Sequence, residues 1–91
     1  MKARAHLIIE GKVKGVGFRI FMSEVALSCG LTGWVMNLPN GNIEAVFEGE
    51  RKSVEIAICK CSQGTTSARI SKVEVDWREK PETLTTFMIR Y

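Results

Sequence analysis

The chain has 91 residues, 45% of them hydrophobic, and a formal net charge of +3. That length suits one domain, 1–91, and the apolar share is too high for a disordered tail. The small positive charge favours anions only weakly, and Asp and Glu are mixed with Lys and Arg along the chain, unlike the dense basic face of a dedicated nucleic-acid binder.

Met1-Lys2-Ala3-Arg4-Ala5 begins like a secretion signal, but Glu10 and Gly11 interrupt it before a long apolar run develops. No stretch reaches membrane-spanning length, so no membrane partner is expected. Cys29, Cys59 and Cys61 are an odd set, which points to reduced thiols and a cytoplasmic setting.

Residues 4–13 alternate, with Ala5, Leu7 and Ile9 on one face and Arg4, His6 and Glu10 mostly on the other, as in a half-buried strand. Gly11, Gly15 and Gly17 break that pattern. Phe18, Phe21, Met22, Val25 and Cys29 then form a helical stripe, with Gly30 as its C-terminal cap. Leu31 to Leu38 reads as a second strand, and Pro39-Asn40-Gly41 as the turn into a third, where Ile43, Ala45 and Phe47 alternate with Glu44, Val46 and Glu48. Val54, Ala57, Ile58 and Cys61 carry the spacing of a second helix that stops at Gly64. Val73, Val75 and Trp77 mark a fourth strand, and Phe87, Ile89 and Tyr91 a short fifth. The order is β-α-β-β-α-β plus a terminal strand. It predicts an α+β, ferredoxin-like sandwich with two helices on one face of an antiparallel sheet.

The stretch Lys14 to Phe21, "KGVGFRIF", has two readings. It approaches the RNA-recognition strand pattern Lys/Arg-Gly-aromatic-Gly/Ala-Phe-Val-x-aromatic, whose domain shares this element order. Position and chemistry count against that match. The stretch follows only one strand, Val16 stands where a stacking aromatic belongs, and Phe18 and Phe21 join the core stripe. A dinucleotide loop would need glycine at Ile20, and no Gly-Lys-Ser/Thr is present for a Walker loop.

The second reading is an anion site. Gly15 and Gly17 let the backbone approach a ligand, and the helix beginning at Phe18 presents N–H groups without internal partners. Arg19 lies in that first turn, where a cation is unfavourable unless an anion is bound, and its guanidinium can hold two phosphate oxygens. A plain strand-to-helix turn with a solvated arginine explains the same residues. Asn37 interrupts an apolar strand just before the turn. Its amide suits holding a water molecule, and equally a strand-end bond to backbone.

Taken together, the two stretches resemble the acylphosphatase family. Gly11-Lys12-Val13-Lys14-Gly15-Val16-Gly17-Phe18-Arg19 is similar to the family signature Gly-x-Val-Gln-Gly-Val-Gly-Phe-Arg. Gly33, Trp34, Val35, Asn37, Gly41, Ile43 and Gly49 fall on its second signature, and "FMIRY" resembles its C-terminus. Lys14 replaces the usual glutamine, and Gly64-Thr65-Thr66-Ser67 lacks the proline often found after the second helix.

The resemblance implies hydrolysis of small-molecule acyl phosphates to carboxylate and phosphate. Gly15, Val16, Gly17, Phe18 and Arg19 would bind the phosphoryl group, with Arg19 and Asn37 catalytic and Asn37 positioning the attacking water. No metal and no cofactor are implied. The competing expectation is a non-catalytic anion- or RNA-binding module of the same fold. A third is an accessory domain of the kind found at the start of larger carbamoyl-transfer maturation proteins, although the chain reads as a complete, free-standing monomer.

Other residues receive ordinary roles. His6 reads as a sheet-face residue with no evident partner. Cys59 and Cys61 point to different helix faces and make no metal pair, with Cys61 in the core. Trp34 and Trp77 are expected to pack, and Lys12 and Lys14 to be solvated.

Overall fold

In a computed structural model, residues 2–13, 17–65, 68–78 and 84–90 are described. They form β1 (Lys2–Lys12), α1 (Phe18–Ser28), β2 (Thr32–Asn37), β3 (Ile43–Glu50), α2 (Arg51–Gln63), β4 (Arg69–Arg78) and β5 (Phe87–Arg90). The sheet order is β4-β1-β3-β2-β5. β1 to β4 pair antiparallel as expected, but β5 joins β2 in parallel, so the five-stranded sheet is mixed. Periodicity within a short strand carries no information about the direction of its neighbour, which is why the sequence alone suggested an antiparallel sheet.

The core lies between one sheet face and the helices. Ala5, Leu7 and Ile9 of β1 are fully buried, and sit opposite Phe47, Ala45 and Ile43 of β3. From above, α1 contributes Phe18, Met22, Val25 and Ala26, and α2 contributes Val54, Ala57 and Cys61. α1 closes through Leu31 N–H to the Ala26 carbonyl (2.9 Å) and Gly30 N–H to the Leu27 carbonyl (3.1 Å), the paired bonds of a Schellman ending.

The opposite face of the sheet is better satisfied than the sequence suggests. Glu48 there is 4% exposed. Its carboxylate accepts the Leu84 N–H at 3.2 Å and lies 3.6 Å from Arg4 Nε, so an ion pair and a backbone bond compensate its burial. His6 lies on this face as expected but does have a partner, Glu44 Oε2 at 2.7 Å from Nε2. Trp77 packs against the core beneath Arg51. Trp34, by contrast, faces away from the core, because Gly33 and Val35 take the helix-facing positions of β2.

The three cysteines are unbridged and differ sharply in access. Cys59 is exposed, Cys29 is intermediate and Cys61 is buried. Burial, with a smaller contribution from Cys29, pushes the Cys61 thiol up to about 12. Since the thiolate is the reactive form, iodoacetamide at neutral pH is expected to label Cys59 quickly and Cys61 only after unfolding. Peptide mass mapping reads this directly. Labelling of Cys61 as fast as Cys59 in folded protein would contradict the packing described.

Candidate active site

β1, β2 and β5 all run in one direction, because β3 is antiparallel to both β1 and β2 while β5 is parallel to β2. Their C-terminal ends therefore share one end of the sheet. α1 starts there too, six residues after β1 ends.

Gly17 is the N-cap of α1 and has φ 69°, ψ 24°, in the left-handed region that disfavours a side chain. It turns the chain into the helix, and its carbonyl accepts the first helical bond from Phe21 N–H at 3.0 Å. The N–H groups of Phe18, Arg19 and Ile20 precede that bond. Among the described residues no side chain caps this end and no acidic residue lies in the first turn, so none of them offsets its partial positive charge.

Phe18 is 1% exposed and anchors the turn in the core, with Phe21 packed edge-on against it at 5.5 Å between centroids. Those rings are not free to stack on bases, which counts against the RNA-binding alternative. Arg19, next to Phe18, leaves the core and is partly exposed. Its Nη1 donates to the Arg90 carbonyl at the end of β5, at 3.3 Å.

Arg90 pairs with Met36, and the next residue along β2 is Asn37. Asn37 sits opposite Ile43, and Ile43 opposite Ile9, so Asn37 occupies a core-facing register position at the strand's last residue. Its Oδ1 is buried and has no hydrogen-bond partner among the described residues. A buried amide oxygen left open costs stability, commonly about 1–3 kcal/mol. A strand-end bond to backbone, the ordinary explanation of such an asparagine, is therefore absent for Oδ1 among these residues.

The fold thus brings Arg19 and Asn37 to one end of the sheet, beside the open N-terminus of α1. Gly15, Val16 and Lys14 lie outside the described residues. The Arg90 carbonyl was missed in the sequence, since a main-chain acceptor carries no residue signature. Among the described residues no group of three or more His, Cys, Asp or Glu side chains is placed to hold a metal ion, and no helix is long and apolar enough to cross a membrane.

The family model described as Acylphosphatase matches residues 5–89. The chain belongs to the acylphosphatase family. An acylphosphatase from Thermococcus kodakarensis is 50% identical over 88 residues, which span 97% of this chain and 96% of that one. Among solved structures, the acylphosphatase from Bacillus subtilis superposes with a TM-score of 0.95 at 28% identity, covering 98% of this chain and 99% of the other. The acylphosphatase from Coxiella burnetii gives 0.92 at 35% identity, covering 98% and 93%. The acylphosphatase fold and the family signatures therefore extend over nearly the whole chain.

Proposed function

We propose that this chain hydrolyses acyl phosphates, with Arg19 and residues 15–19 holding the phosphoryl group and Asn37 holding the attacking water. The observation that carries the reading is the convergence, at one end of the sheet, of Arg19, the start of α1 and the buried Oδ1 of Asn37, neither the helix start nor Oδ1 having a side-chain cap or hydrogen-bond partner among the described residues. Guanidinium and helix N–H groups together neutralise a phosphoryl group. An amide oxygen at the strand end accepts a hydrogen bond from water and aims the water oxygen at phosphorus.

The reaction then asks little more of the protein. Water attacks phosphorus, the bond between phosphorus and the acyl oxygen breaks, and a carboxylate leaves with its electron pair. Both water protons stay with the phosphate, whose own oxygens accept the one transferred. The leaving group is a weak base, so positioning and charge stabilisation supply most of the acceleration. A steep rate dependence on a protein group titrating near neutrality would count against this proton path.

The test is hydrolysis of benzoyl phosphate in excess EDTA, and turnover is expected to persist. No turnover by folded protein, or turnover lost on chelation and restored by a metal ion, would overturn the reading. Asn37→Ala is expected to lower kcat about 100-fold with KM nearly unchanged, because it removes the water's holder and leaves the phosphate site. Its unfolding free energy is expected to stay within about 1 kcal/mol of wild type, since the lost oxygen has no hydrogen-bond partner among the described residues. A matched fall in activity and stability would instead make Asn37 structural. The reading also places the enzyme in the cytoplasm as a monomer, in keeping with its unbridged cysteines. Sizing chromatography tests the monomer.

A further inference from the structure

On the face of the sheet away from the helices, the Arg90 guanidinium lies over the Trp34 ring, 4.6 Å from its centroid. Trp34 pairs with Met88, and Met36 with Arg90, so the two residues are diagonal neighbours across the parallel β2–β5 ladder. The His6 ring meets Trp34 edge-on at 6.5 Å between centroids, and His6 is itself tied to Glu44. Trp34 is thus braced from β1 while it supports Arg90.

Arg90 also serves the site. Its carbonyl accepts a hydrogen bond from Arg19 Nη1 at 3.3 Å. Among the described residues β5 spans four positions, Phe87–Arg90, and lies at the sheet edge with β2 as its neighbour. Short edge strands open at low cost. The end of such a strand is a poor fixed point unless a side chain secures it.

We propose that Trp34 and Arg90 are positioning residues, whose stacked side chains fix the end of β5 and thereby the carbonyl that aims Arg19 at the phosphoryl group. The proposal rests on the phosphate-binding reading of Arg19. It gives a defined task to Trp34, which contributes nothing to the core directly beneath the helices. Arg19 binds phosphate before and during reaction, so loosening it acts on binding first.

The experiment measures kcat and KM for benzoyl phosphate, and inhibition by inorganic phosphate, for Trp34→Ala, Trp34→Phe, Arg90→Gln and the Trp34→Ala/Arg90→Gln double variant. A cation–π contact at an exposed site corresponds to about a 2- to 5-fold effect on an equilibrium. Trp34→Ala and Arg90→Gln are each expected to raise KM and the phosphate inhibition constant by that factor, with kcat nearly unchanged. The double variant is expected to be no worse than the stronger single, and Trp34→Phe to restore most of the loss. Unchanged KM and phosphate inhibition, strictly additive effects, or a fall in kcat alone would overturn the proposal. Arg90 is exposed, so Arg90→Gln decides the matter if Trp34→Ala does not fold. Arg19→Ala in the same assay separates the two levels. If it stays active, the phosphate-binding reading falls. If it is inactive while Trp34 and Arg90 variants behave as wild type, only the positioning proposal falls.

Discussion

Replacing Arg19 with alanine is expected to remove nearly all turnover while the protein stays folded. Arg19 is partly exposed and points away from the core, so its removal leaves the packing of Phe18 and Met22 intact. Surface changes of this kind usually alter stability by about 0.5 kcal/mol or less. The effect on catalysis is of another order. Loss of one preorganised donor to a developing charge commonly costs about 100- to 1,000-fold, and Arg19 supplies a full charge in addition. Arg19→Lys separates charge from shape. The ammonium keeps the charge but cannot reach the Arg90 carbonyl and grip two phosphate oxygens with one planar fork. It is expected to recover only a small part of the activity. Steady-state kinetics beside circular dichroism and thermal unfolding reads both properties. An Arg19→Ala protein with native spectra and more than about a tenth of wild-type kcat/KM would leave no catalytic role for this side chain.

Gly33→Ala is expected to have the largest effect on stability. Gly33 has φ 142°, and a methyl group there would lie 1.8 Å from the Val46 carbonyl oxygen and 2.8 Å from its carbon. Both are backbone atoms of the adjacent strand, so no side chain can rotate out of the way. β2 and β3 would have to part where Val35, Ala45 and Phe47 are fully buried. The expected cost exceeds about 3 kcal/mol, combining a strained backbone with disrupted packing. For a domain of this size that lowers the thermal midpoint by roughly 12 °C or more. Denaturant unfolding gives the number directly. A loss below about 1 kcal/mol would show that the strands separate easily, contrary to the buried register described here.

Periodicity made most of the architecture legible before the structure. Ala5, Leu7 and Ile9 marked the buried face of β1, and Val54, Ala57 and Cys61 that of α2, because each strand or helix repeats its own pattern. β4 was read too short. It begins at Arg69, and the register shift opposite Glu10 and Gly11 puts Ile70 and Val73 out of step, which breaks the alternation ahead of Val73. The direction of β5 was hidden for a related reason, since pairing is decided between residues far apart in the chain. At the site, Arg19 and Asn37 stood out because each conflicts with its local setting, a cation at a helix start and an amide in an apolar strand. The Arg19 to Arg90 bond and the His6 to Glu44 pair gave no such conflict. Their separations of 71 and 38 residues put them beyond any local pattern.

The strand order also has a consequence for how the molecule comes into being. β1 emerges first from a ribosome, yet its two neighbours, β3 and β4, follow only after residues 43 and 69. An interior strand of the sheet thus waits with both edges open while most of the chain is made. Non-local pairing of this kind slows folding and leaves little that is stable in a partial chain. The Arg90 carbonyl that steadies Arg19 arrives later still. It comes in the same strand as Phe87, a member of the buried core, so closure of the interior and the fastening of Arg19 belong to one late event.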